Sequence, residues 1–185
     1  GAAKCLTPVT LELGGKSPCF VHRDANRKIA ARRIAWGKAI KTGQTCVAPD
    51  YVLIEQCVKE KLLEYVKKEV IRMYGESPLD NPDYGKMING RHFERVLELI
   101  DQAKTVCGGR SREDTLQIAP TVLDGVTEND AVMQEEIFGP VLPVLSVHSV
   151  EEAYQFVKKR PKPLALYLFT SDRKTEQRFW REVPF

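Results

Sequence analysis

The sequence predicts an α/β fold, a largely parallel open sheet flanked by helices. Three observations point to it. Strand-like and helix-like segments alternate along the chain. Several strand-like runs, Tyr51–Ile54 among them, are apolar throughout, as strands covered on both faces are. The length, 185 residues, suits one domain and falls short of two ordinary ones. No internal repeat, low-complexity stretch or interdomain linker interrupts it.

Taken in order, Val9–Leu13 is β-rich and is stopped by Gly14-Gly15, and Pro18–Val21 reads as a second short strand. Asp24 is placed to cap a helix over about Ala25–Ile40, with Ile29, Ile34 and Ala35 on its apolar face. After the Tyr51–Ile54 strand, Val58, Leu62, Val66, Val70 and Met73 step by three and four, which predicts an amphipathic helix over Val58–Met73 with Lys59, Lys61, Lys67 and Lys68 in water. Gly75 closes it. Pro78 and Asp80-Asn81-Pro82 mark a surface loop. A helix follows over Arg91–Gln102, then a polar turn at Gly108–Asp114 and a β-like stretch at Leu116–Leu123. Val141–Val147 is a strand, Glu151–Lys159 a helix, Ala165–Phe169 another buried strand, and Asp172 caps a last helix.

Composition excludes several classes of function. Hydrophobic residues make up 43% and charged residues 29%, too apolar a mixture for a disordered tail. The net charge of +3 is spread along the chain, so there is no basic footprint for nucleic acid. No apolar run approaches the ~20 residues that cross a bilayer. The two tryptophans are expected to help anchor the core. The five cysteines are an odd number without a Cys-x-x-Cys, and none is at zinc spacing from His22, His92 or His148, so neither a disulfide framework nor a metal site is expected. A reducing, cytoplasmic setting fits best. Gly1-Ala2-Ala3-Lys4 lacks the apolar stretch of a signal peptide, and the first Met is Met73, which suggests a piece of something larger.

Gly15-Lys16-Ser17 resembles the end of a phosphate-binding loop, but Thr10 stands where that loop needs glycine and Pro18 follows too closely. A Gly-x-Gly-x-x-Gly dinucleotide fingerprint is absent. Cys46 is different from the other thiols. It sits in the polar, glycine-bearing junction Lys41-Thr42-Gly43-Gln44-Thr45-Cys46 between a helix and a buried strand, where catalytic groups tend to project. Cys5, Cys19, Cys57 and Cys107 have no such context and read as structural. Glu12 is either the solvated face of a strand or a functional carboxylate beside a double glycine that permits close approach. Glu136 is one of two adjacent carboxylates, and Trp36 is either core packing or part of a site.

Residues 11–16 read Leu-Glu-Leu-Gly-Gly-Lys, residues 43–46 Gly-Gln-Thr-Cys, and residues 135–140 Glu-Glu-Ile-Phe-Gly-Pro, in that order. Together they resemble the catalytic domain of the aldehyde dehydrogenase superfamily. Cys46-Val47-Ala48-Pro49-Asp50-Tyr51, Arg91-His92-Phe93 and Lys162-Pro163-Leu164-Ala165-Leu166-Tyr167 are similar to the class 3 branch, which oxidises medium- and long-chain aliphatic and aromatic aldehydes. The resemblance implies that Cys46 is the nucleophile, that Glu12 is the general base, and that Glu136 and Phe138 meet the ribose of NAD or NADP. It also implies a position for Trp36 near the substrate channel, and a homodimeric parent. The family's cofactor-binding domain and C-terminal arm have no counterpart in residues 1–185, so a partial catalytic domain is expected. The competing expectation is a folded, non-catalytic module that binds a partner. Either way, Cys46 and Glu12 are expected to converge in one cleft at the edge of a parallel sheet where α/β folds bind ligands, and Cys46 to be the most reactive thiol.

Overall fold

The computed structural model describes residues 1–185. Chain order runs β1 Pro18–Val21, α1 Arg27–Ala39, β2 Tyr51–Glu55, α2 Lys59–Tyr74, α3 Gly90–Glu98, β3 Thr105–Cys107, β4 Ser111–Arg112, β5 Gln117–Ile118, β6 Thr121–Leu123, β7 Val141–Val147, α4 Val150–Lys158, β8 Tyr167–Phe169 and α5 Arg173–Glu182. Six strands form one sheet in the order β3-β6-β7-β2-β1-β8, and β4 and β5 form a small hairpin beside it. All neighbours in the large sheet are parallel except β3 and β6. The predicted largely parallel sheet is therefore present.

The apolar character of β2 is explained by its place in the middle. Tyr51 and Leu53 enter one core with Phe20, Leu145, Tyr154 and Phe179, while Val52 and Ile54 enter the other with Ile34, Leu62, Val66 and Val144. Period-2 alternation thus feeds two hydrophobic layers at once. Helices α1 and α2 cover one face, and α3, α4 and α5 pack on the other. The last helix is fixed by Phe179, which stacks on Phe20 at 5.5 Å between ring centroids and meets Tyr154 edge-on at 5.9 Å. Asp172 caps it as expected, accepting the Lys174 and Thr175 amides.

Several local expectations are corrected. Val9–Leu13 joins no sheet: Val9, Leu11 and Leu13 are exposed, because β1 takes its partners from Pro18 onward and no strand lies beside the earlier segment. Asn26, not Asp24, caps α1, since its side chain accepts the Ile29 amide. Asp24 instead accepts from the Ser171 amide and the Thr170 hydroxyl, tying the end of β1 to the segment after β8. Ile29 is exposed, the buried face being Ala30, Ala31, Ile34, Ala35 and Lys38. Lys59 is buried rather than solvated, because Asp124 holds its ammonium at 2.9 Å. Helix α3 stops at Glu98, four residues short of Gln102. Strand β8 is shorter than its apolar run and only half-buried, as an edge strand must be. Both tryptophans lie outside the core, Trp36 being 60% exposed and Trp180 73%. Cys5 and Cys57 are exposed and so are not core residues.

Leu62 is 1% exposed in the α1–α2 layer. Leu62→Ala is expected to cost ~2–5 kcal/mol, read as a lowered midpoint in urea unfolding at unchanged slope.

Candidate active site

The three motifs all precede strands that run the same way, so the sheet gathers them at one edge. Residues 14–17 lead into β1, residues 43–50 into β2 and residues 135–140 into β7. The Asp50 amide donates to the Ser17 carbonyl at 2.8 Å and the Thr121 amide to the Pro140 carbonyl at 2.9 Å, which aligns these approaches. This is the amino-terminal edge of the parallel strands. Open α/β sheets more commonly bind ligands at the carboxyl ends. Here the chemistry-bearing residues come before the strands in sequence, so the site lies at the opposite edge.

The turn that carries Cys46 is strained and locked. Lys41, Thr42 and Gly43 follow one another at φ of 48°, 57° and 73°. The left-handed region costs a non-glycine residue roughly 1–2 kcal/mol, so such a run persists only where its surroundings impose it. A Cβ on Gly43 would lie 2.2 Å from the Gly139 carbonyl oxygen, so only glycine allows this contact between the Cys46 turn and the Glu136 turn. The Gln44 side chain donates to the carbonyls of Lys41 and Lys86, at 3.1 and 3.0 Å, and accepts the Ile88 amide at 2.9 Å. The Tyr167 hydroxyl donates to the Val47 carbonyl. Cys46 is partly exposed in this frame. Burial pushes the Cys19 and Cys107 thiols up, which keeps them protonated and inert.

The two carboxylates lie in the segments before β1 and β7. Glu136 accepts the Gly15 amide at 3.3 Å, and Gly14 passes so close that a Cβ there would lie 2.3 Å from its Oε2. Burial pushes the Glu136 carboxyl above its ordinary range; the Gly15 hydrogen bond opposes this, and the charges of Asp50 and Glu12 reinforce it. Glu12 itself is exposed and accepts the Gly14 amide at 2.8 Å. Phe138 sits at φ 48° and is 37% exposed, beside the Gly139 contact. Trp36 is exposed on α1, which excludes its core-packing reading.

Sequence reasoning passed over the residues that hold these turns together. Arg95 on α3 donates to Glu135 Oε1 at 3.0 Å and to the carbonyls of Glu136 and Ile137. Lys16 donates to Asp50 Oδ2 at 2.6 Å and to the carbonyls of Val132 and Glu135 at 2.8 and 2.9 Å. Lys38 lies 3.6 Å from Asp50 Oδ1, and burial lowers its ammonium to about 8. Lys16 and Asp50 stand inside the quoted motifs, a signal that was available. Lys38 and Arg95 stand in ordinary amphipathic helices and carry none.

The profile of the aldehyde dehydrogenase family matches residues 1–185. The chain belongs to the aldehyde dehydrogenase family. It is 51% identical over 182 residues to the dimeric NADP-preferring aldehyde dehydrogenase of Rattus norvegicus, covering 98% of this chain and 40% of that protein. It is 51% identical over 177 residues to aldehyde dehydrogenase family 3 member A2 of the same organism, covering 96% and 37%. A solved structure of Staphylococcus aureus AldH in its substrate-bound state superposes with a TM-score of 0.97 at 47% identity, covering all of this chain and 41% of that one. The chain thus spans about two fifths of the length of these aldehyde dehydrogenases.

Two outcomes follow from the geometry of this aldehyde dehydrogenase chain. Gly43→Ala is expected to lose more stability than Gly75→Ala, whose φ of 80° is similar but whose Cβ would meet nothing within 4 Å. Gly75→Ala, at φ 80° and ψ −177°, should cost the ~1–3 kcal/mol of a backbone region nearly confined to glycine, while Gly43→Ala adds a backbone clash; paired denaturant midpoints read the difference. Glu136 has a folded pKa raised above its unfolded value of 4.5, so its contribution is most favourable below pH 4.5 and is lost as pH rises through the folded value. Glu136→Gln should therefore melt higher than the wild type at pH 7, with the gain vanishing on acidification; an unchanged gain at low pH would contradict the assigned cause.

Proposed function

We propose that residues 1–185 are the catalytic-domain portion of an NAD(P)-dependent aldehyde dehydrogenase of the class 3 branch, which oxidises aldehydes to carboxylic acids through a cysteine thioester. The observation that carries this reading is the packing of the Cys46 turn against the Glu136 turn, with Gly43 on Gly139 and Gly14 on Glu136, at one edge of the sheet. Medium- and long-chain or aromatic aldehydes are the proposed substrates. The parent is proposed to be a homodimer, as the name of the rat relative states for that protein. Five unpaired thiols support a reducing, cytoplasmic setting.

Cys46 supplies the nucleophile. Its thiolate attacks the aldehyde carbon, and the oxidised acyl group remains on sulfur as a thioester, which a good leaving group makes hydrolysable. Glu12 accepts a proton from the attacking water, a role open to an exposed, ionisable carboxylate on a segment that ends in two glycines. Glu136 and Phe138 would hold the nicotinamide ribose, one through its carboxylate and the other through its ring. When bound, the dinucleotide supplies the hydride acceptor. Trp36 flanks the path by which substrate reaches Cys46.

A second reading, a folded module that binds a partner without turnover, is favoured by the exposed Leu6, Val9, Leu11 and Leu13, which have no covering layer. The two are separated by paired assays on the 185-residue chain. Nitrophenyl acetate hydrolysis needs only the thiol and the base, and is expected to be present. Cys46→Ser should abolish it, and Glu12→Gln should slow its steady state by ~10²-fold while leaving an initial burst. NADH formation with benzaldehyde should be negligible, because positioning a hydride donor and acceptor accounts for ~7–11 kcal/mol of a barrier. Ester hydrolysis that survives Cys46→Ser would sink the assignment of the nucleophile.

A further inference from the structure

Asp50 is 2% exposed and is met by three separate stretches of chain. Its Oδ2 takes the Lys16 ammonium at 2.6 Å, its Oδ1 the Ile137 amide at 3.2 Å, and the Lys38 ammonium of α1 lies 3.6 Å away. Its own amide donates to Ser17. Lys16 extends the cluster to the carbonyls of Val132 and Glu135, and Ile137 follows directly on Glu136. Asp50 is also four residues after Cys46, joined to it through a turn closed by the Ala48 amide on the Thr45 carbonyl at 2.9 Å.

We propose that Asp50 is a positioning residue, whose carboxylate holds the Cys46 turn in register with the Glu135–Ile137 turn. The proposal rests on the reading of Cys46 and Glu136 as the working pair of the site. Lys38 makes the arrangement selective for a charged acceptor. It is 5% exposed, makes no hydrogen bond and has Asp50 as its ion-pair partner at 3.6 Å, so a neutral residue at position 50 would leave this buried ammonium uncompensated beside the part-buried Lys16. The same carboxylate accepts the Ile137 amide, so one side chain joins the ammonium groups to the turn that follows Glu136. The strained Lys41–Gly43 run supplies the opposing force. A turn held at three consecutive positive φ values relaxes when its far end is released.

The test is the rate of iodoacetamide labelling at one fixed pH, resolved by peptide mapping, on the 185-residue chain. Cys57, exposed at the other end of β2, is the internal control. The reference is a synthetic peptide of residues 41–50, whose thiol no fold orients. In the wild type the Cys46 rate should differ from that of the peptide. In Asp50→Asn it should move onto the peptide's rate while Cys57 is unchanged, and Asp50→Glu should keep the wild-type rate. If Asp50→Asn does not fold by circular dichroism, the double variant Asp50→Asn/Lys38→Met removes the uncompensated ammonium and is read in the same way. A folded variant with a wild-type Cys46 rate overturns the proposal, as does a wild-type rate that already matches the peptide. Labelling needs no turnover, so failure of the ester-hydrolysis assay and failure here are distinguishable.

Discussion

Two ammonium groups, one carboxylate and one backbone amide share a small buried volume at the amino edge of the sheet, and the rest of the site is arranged around them. Burying such charges is costly unless each is paired and its remaining donors are used, which Lys38, without a hydrogen bond, does not achieve. Lys16 satisfies this by reaching two carbonyls besides Asp50. Those carbonyls belong to the irregular stretch before β7, which has no ladder of its own to satisfy them. The ion cluster therefore performs, for residues 132–137, the task that hydrogen-bonded strands perform elsewhere. Burial lowers the Lys16 ammonium as well as that of Lys38, and the nearby carboxylate charge opposes the shift in both.

The hydrophobic layers explain why this edge can be irregular. Strands β1, β2 and β7 are buried on both faces, so their positions are set by packing along their length rather than at their ends. With the strands fixed, the segments entering them can adopt conformations that would not survive alone. The left-handed run at Lys41–Gly43, the left-handed Phe138 and the close glycine contacts all lie in these entering segments. Strain concentrated beside a rigid support is a recurrent feature of sites that hold reactive groups.

The same arrangement gives the five thiols different settings. Cys19 lies inside β1 and is fully buried, Cys107 is half-covered at the β3 edge, and Cys5 and Cys57 lie on exposed short turns. Only Cys46 stands in a turn whose neighbours are held by side chains from Gln44 and Tyr167 and by the Gly43–Gly139 contact. Exposure by itself would not single it out. What distinguishes it is a fixed orientation among groups brought from distant parts of the chain.

The sequence by itself determined the alternation of strands and helices, the doubly buried β2, the boundaries of β7 and the amphipathic α2, because each is written in a local period or an apolar run. It also determined the three motifs and so the candidate residues Cys46, Glu12, Glu136 and Phe138. Where pairing was required, local reading failed. Val9–Leu13 has the composition of a strand but no neighbour to bond to, and Lys59 has the composition of a solvated lysine but meets Asp124 across 65 residues. Trp36 and Trp180 are large and apolar, yet the core was filled instead by Phe20, Tyr51, Tyr154 and Phe179. The edge of the sheet that carries the site, and the joining of Lys16, Lys38, Asp50 and Ile137, were decided by the tertiary structure alone. A hydrogen bond or ion pair between segments far apart in sequence leaves no periodic trace in either segment, and exists only once the parallel strands have set their amino ends side by side.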